Sequence, residues 1–101
     1  MVLYFAKTAF GRLERMSDVL FVWDADSSSS KRRSFYRRLS GYRNGDYVYE
    51  GLLDNLPDED WNWLNESTLL VKPQQADKIR RLLQEFDDVL RWHEFEATRT
   101  V

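Results

Sequence analysis

Val19-Leu20-Phe21-Val22-Trp23 is continuously apolar and rich in β-formers, and it ends in two carboxylates, Asp24 and Asp26. A run of this length reads as a strand buried on both faces and hence as an interior strand of a sheet. Ser67-Thr68-Leu69-Leu70-Val71-Lys72, closed by Pro73, has the same character. Working outward, the tract Ser27 to Ser30 can supply an N-cap for a helix that places Phe35, Leu39 and Tyr42 on one side and Arg33, Arg37 and Ser40 on the other. Gly41 and the pair Asn44-Gly45 are expected to end that helix.

Tyr47 to Leu52 reads as a second strand weakened by Gly51, and Leu56 to Leu64 as a helical turn with Pro57 at its start and acids after it. Residues 74–86 give the clearest helix, with Ala76, Ile79, Leu83 and Phe86 on one stripe and an expected Asp77–Arg81 ion pair. Val89 to Thr98 is the last strand. The order is β-α-β-β-α-β, a ferredoxin-like α+β domain with an antiparallel four-stranded sheet and two helices on one face. The first and third strands are the apolar ones, as central strands should be, and the second and fourth carry charges, as edges should. Residues 1–16 then form an N-terminal extension, with Met16 an alternative start. Residues 17–101 form one domain, with an acidic, Trp-containing insertion at 53–66.

With 101 residues the chain makes a single domain with a thin core, so a 15% aromatic content leaves large rings to find contact area at the surface. The absence of Cys removes disulfides, thiolate metal sites and cysteine nucleophiles. Its longest apolar run is too short to span a bilayer, and a cytoplasmic location is the expectation. A net charge of −2 argues against a protein that coats nucleic acid generally. Its distribution is more telling. Residues 31–43 hold Lys31, Arg32, Arg33, Arg37, Arg38 and Arg43 without an acid, whereas residues 46–66 hold seven acids without a base. Such segregation suits a basic face for a polyanion, two elements that neutralise each other, or the halves of a self-complementary dimer.

Asp24 and Asp26, two apart on extended chain, share a side and could hold Mg²⁺ or Mn²⁺. The plainer alternative has Asp24 capping the loop and Asp26 pairing with Lys31 or Arg32. Three cations in the first turn of the basic helix oppose its dipole unless Asp24, Asp26 or a bound phosphate sits there. His93, alone of its kind, is expected to be structural. Trp61 and Trp63 either anchor the acidic insertion on the sheet or present a protein-binding knob. Tyr47 and Tyr49 share one face of their strand. Left open they could stack on nucleotides; a covering helix is the expected fate.

The apolar strand ending in Asp24, the Arg-rich helix from Lys31 to Leu39, the Ser67–Pro73 stretch, the amphipathic helix and the closing strand together resemble the small ferredoxin-like, endonuclease-like subunit of CRISPR adaptation systems. They also resemble the related C-terminal domain of phenylacetate-type (PaaX) repressors, to which Lys7-Thr8-Ala9-Phe10-Gly11-Arg12 adds a segment leading in. The resemblance implies a homodimer, a metal ligand at Asp24 and contact with DNA or RNA through basic side chains. The resulting expectation is a homodimeric macromolecule-binding domain, without a cofactor, that contacts nucleic acid through Arg32, Arg33, Arg37 and Arg38. The alternatives are a Mg²⁺- or Mn²⁺-dependent nuclease with Asp24 as its catalytic residue, and an adaptor that holds a protein partner through Trp61 and Trp63.

Overall fold

The computed structural model describes residues 3–6 and 17–100. Strands β1 (Leu3–Ala6) and β2 (Asp18–Ala25) precede helix α1 (Lys31–Ser40), and a short hairpin of β3 (Tyr42–Asn44) and β4 (Tyr47–Tyr49) follows. Strand β5 (Trp61–Asn65), strand β6 (Thr68–Val71), helix α2 (Ala76–Glu85) and strand β7 (Leu90–Thr100) complete the chain. The segment Lys7 to Met16, which carries the lead-in motif and the alternative start, lies outside the described residues.

The chain is a small α+β domain in which β7, β2, β6 and β5 lie side by side, each antiparallel to its neighbour. Two additions go beyond the plain four-stranded layer expected. β1 pairs with the far end of β7, Leu3 opposite Thr100 through Ala6 opposite Ala97, so β7 is not an edge. The β3–β4 hairpin forms a separate two-stranded sheet.

The run 19–23 takes its interior place between β7 and β6. Phe21 and Trp23 are 0% and 3% exposed, and they join Phe35 and Leu39 of α1, Ile79, Leu82 and Leu83 of α2, and Leu69 and Val71 of β6 in one core. Each such side chain contributes about 1.5–3 kcal/mol through apolar burial. Burial of β2 on both faces is corrected: Leu20 and Val22 are half-buried, because the helices cover only the side that carries Phe21 and Trp23.

Two further corrections concern the middle of the chain. The second strand of the main sheet is Trp61–Asn65, not Tyr47–Leu52. Trp61-Asn62-Trp63 alternates with the period of a strand, and the residues read as a helical turn resolve into a 3₁₀ turn at Asp58–Asp60 followed by that strand. Asn65 pairs with Thr68, and the Asn65 carboxamide oxygen accepts the Ser67 backbone N–H at 2.9 Å to close the turn. Likewise Asn44-Gly45 does more than stop a helix. Asn44 pairs with Tyr47 around a two-residue loop in which Gly45 has φ +61° and Asp46 keeps an ordinary φ, the pattern of a type II′ hairpin turn.

What fixes that hairpin to the body is a pair of glycines. Gly41, at φ +80°, closes α1 by donating its N–H to the Arg37 carbonyl at 2.8 Å. A Cβ on Gly41 would meet the Tyr49 carbonyl at 2.5 Å and the Gly51 nitrogen at 2.8 Å, and one on Gly51 would meet the Leu39 carbonyl oxygen at 2.6 Å. Leu52 N–H bonds the Arg38 carbonyl at 2.8 Å, and Gly51 N–H bonds the Asp54 carboxylate at 2.8 Å. The hairpin's base is thereby clamped against the end of the basic helix.

Candidate functional site

Between α1, α2 and the base of the hairpin lies a cleft of about 590 Å³ whose wall includes Arg37, Arg38, Tyr42, Tyr49, Lys78 and Arg81. Four cations and two carboxylates, Glu50 and Glu85, line it. Arg38 holds Glu85 with two hydrogen bonds, 3.0 and 2.9 Å long, which take up one carboxylate and keep its pKa below the ordinary Glu value. The Arg37 guanidinium stands 4.1 Å from the centre of the Tyr42 ring, and Tyr42 stacks on Tyr49 with 4.5 Å between centroids and 11° between planes.

Arg81 shares the cleft-facing side of α2 with Lys78, Leu82 and Glu85, and its expected partner goes elsewhere. Asp77 pairs with Arg80, one turn position earlier, and Arg80 also grips Glu94 of β7 through Nε at 2.6 Å and a second nitrogen at 2.8 Å. Being half-buried between two carboxylates, Arg80 wins Asp77 from the exposed Arg81. The expected Asp77–Arg81 pair is corrected accordingly.

Of the four arginines singled out on α1, Arg37 and Arg38 line the cleft. Arg32 rests over Tyr36 at 5.2 Å, and Arg33 stands exposed. At the helix start, Lys31 binds Asp88 at 2.5 Å, so relief of the first-turn cations comes from Asp88 and not from Asp24 or Asp26. Lys31 N–H also meets the Ser29 hydroxyl at 3.1 Å, in place of a Ser30 side-chain cap.

Asp24 and Asp26 line a different cavity with Asp87, Asp88 and Arg91. One Asp26 oxygen accepts both the hydroxyl (2.7 Å) and the backbone N–H (3.0 Å) of Ser28, bonds that lower its pKa. Asp87 accepts the Trp92 indole N–H at 2.6 Å, and Asp24 lies opposite Arg91 in the strand register. The local pairing of Asp26 with Lys31 or Arg32 is replaced by this loop turn. Among the described residues no three His, Cys, Asp or Glu side chains are disposed to hold a metal ion.

Trp61 and Trp63 pack half-buried against the core. Trp63 meets Trp23 edge-on at 5.8 Å, and the Trp61 indole nitrogen is buried without a hydrogen-bond partner among the described residues. They anchor β5. Trp23 in turn donates its indole N–H to Tyr36 at 3.0 Å, and the Tyr36 hydroxyl donates to the Glu66 carbonyl at 3.1 Å. His93 lies exposed beside Phe95, with 6.5 Å between rings.

The tyrosines of the hairpin depart most from expectation. Among the described residues no helix covers them: Tyr47 is 70% and Tyr49 45% exposed. Lys78 and Arg81, absent from the sequence-based candidates, join them through the packing of α2, which no local motif announces. Among the described residues no helix is long and apolar enough to cross a membrane. No protein-family model, curated protein or solved structure matches the chain.

Proposed function

We propose that this chain is a small nucleic-acid-binding domain of ferredoxin-like build, whose cleft between α1, α2 and the hairpin receives phosphates. The inner strand order β7-β2-β6-β5, with α1 between β2 and β5 and α2 between β6 and β7, supports the fold reading, with β1 and the hairpin as additions. One observation carries the functional reading. Arg37 is held on Tyr42, and Tyr42 on Tyr49, at the mouth of a cleft that Arg38, Lys78 and Arg81 also line. Guanidinium and ammonium groups beside a row of tyrosines that ends in the exposed Tyr47 supply both elements that nucleic acids require, charge for the backbone and π-surface for the bases.

The test is fluorescence anisotropy with a labelled oligonucleotide at low salt. Arg37→Glu combined with Arg81→Glu should weaken binding at least about tenfold, since two phosphate contacts become repulsions. Arg32→Glu combined with Arg33→Glu, outside the cleft, should cost much less. Wild-type affinity in the cleft variant would refute the assignment.

A further inference from the structure

The row of tyrosines on the hairpin is organised beyond what phosphate binding needs. Tyr42 lies directly opposite Tyr49 in the register, and Tyr47 follows two residues before Tyr49, so all three rings share one face while Arg43 and Val48 share the other. The rings form a series. Tyr42 and Tyr49 are 4.5 Å apart and nearly parallel, and Tyr49 and Tyr47 are 6.4 Å apart with planes 33° from one another. The inner end is capped by Arg37, and the outer end, Tyr47, is the most exposed of the large hydrophobic residues described.

We infer that the nucleic acid taken by this cleft is single-stranded and that an unpaired base stacks on Tyr47; the inference rests on the phosphate-binding reading of the cleft. Charge divides the work between the two ends. Asp46 adjoins Tyr47 at the hairpin tip, where it repels a phosphate, Arg43 points to the opposite face of the hairpin, and the cleft's cations lie at the hairpin's base. A base is uncharged and offers a π-face whatever its identity, so stacking on Tyr47 tolerates any sequence. A duplex keeps the faces of its bases inside its own stack and presents the tip with backbone and groove edges, on which a ring cannot stack.

The experiment compares strands of equal length that carry bases at every position, none (abasic), or a complementary strand, each titrated against the full chain in deoxyribose and ribose series. The base-bearing single strand should bind at least about fivefold more tightly than the abasic one, because one base stacked on an aromatic ring is worth roughly 1 kcal/mol or more. Tyr47→Ala should lower its affinity to the abasic level, and Tyr47→Phe should preserve it, since the ring face does the stacking. The same loss in whichever sugar series binds tighter supports the inference and identifies the strand as DNA or RNA. Equal affinity for base-bearing and abasic strands, or for the duplex, with Tyr47→Ala without effect, would overturn the stacking platform and leave the phosphate cleft standing. Failure of every one of these nucleic acids to bind would remove both.

Discussion

The core and the hairpin are both built on aromatic side chains, and they use them oppositely. In the core, Trp23 meets Phe35 and Trp63 edge-on at 5.5 and 5.8 Å and hands its N–H to Tyr36, so that every part of the ring has a partner. In the hairpin, Tyr42 and Tyr49 lie flat on one another and Tyr47 is left with most of its surface in water. Edge-on packing fills a volume, whereas a flat row ending in solvent leaves a face to be taken up. A two-stranded hairpin is marginal by itself in water. This one is kept by its glycine clamp and by the Arg37–Tyr42–Tyr49 series, and neither device buries Tyr47.

The contrast can be broken first at Trp23. Trp23→Ala should destabilise the domain by about 3–5 kcal/mol, measured by urea unfolding, because it opens a cavity and strands the Tyr36 hydroxyl network. Gly51→Ala should cost less, about 1–3 kcal/mol, because its Cβ would be driven against the backbone of Leu39 and Ser40. That change should also detach the hairpin, seen as loss of nuclear Overhauser contacts between Tyr49 and the C-terminus of α1, while the core signals persist.

Acid should loosen the ion pairs that tie the helices of the body to its strand and loop. Hydrogen bonds from Arg80 hold the Glu94 pKa below its ordinary value, and those from Lys31 do the same for Asp88. A carboxyl whose folded-state pKa is depressed binds fewer protons folded than unfolded. Its stabilisation is therefore complete above the unfolded value and is lost as pH falls through the folded one. Thermal stability should be level near neutral pH and decline below about pH 4 to 5, and Arg80→Met should flatten that decline. The smallest stability effect belongs to Tyr47→Ala, which should change the urea midpoint by no more than about 0.5 kcal/mol equivalent. A large loss there would mean that the ring is structural after all.

Much of the body was legible from the chain because its signals are local. The unbroken run 19–23 marks an interior strand, and the Ala76-Ile79-Leu83 stripe marks a helix with a buried face. β5 was obscured because Pro57 and three acids look like the opening of a helix, and the three alternating residues Trp61-Asn62-Trp63 are too few to outweigh them. The hairpin was hidden by an ambiguity of Asn44-Gly45, which serves equally as a helix stop and as a turn between strands. The site was harder still. Arg81 lines the cleft with Lys78, Leu82 and Glu85 of the same helix face, whereas the ion partner of Asp77 is decided by Glu94, a residue of the last strand that also holds Arg80. Choices of that kind are settled by tertiary packing, since i,i+3 and i,i+4 ion pairs differ little in energy.

The cleft itself is tested most directly by the salt dependence of single-strand binding to the unaltered chain. Three cations not engaged by Glu85 (Arg37, Lys78 and Arg81) line it, so the logarithm of the association constant should fall against the logarithm of salt concentration with a slope of about −2. A flat response, or no measurable association at low salt, would contradict it.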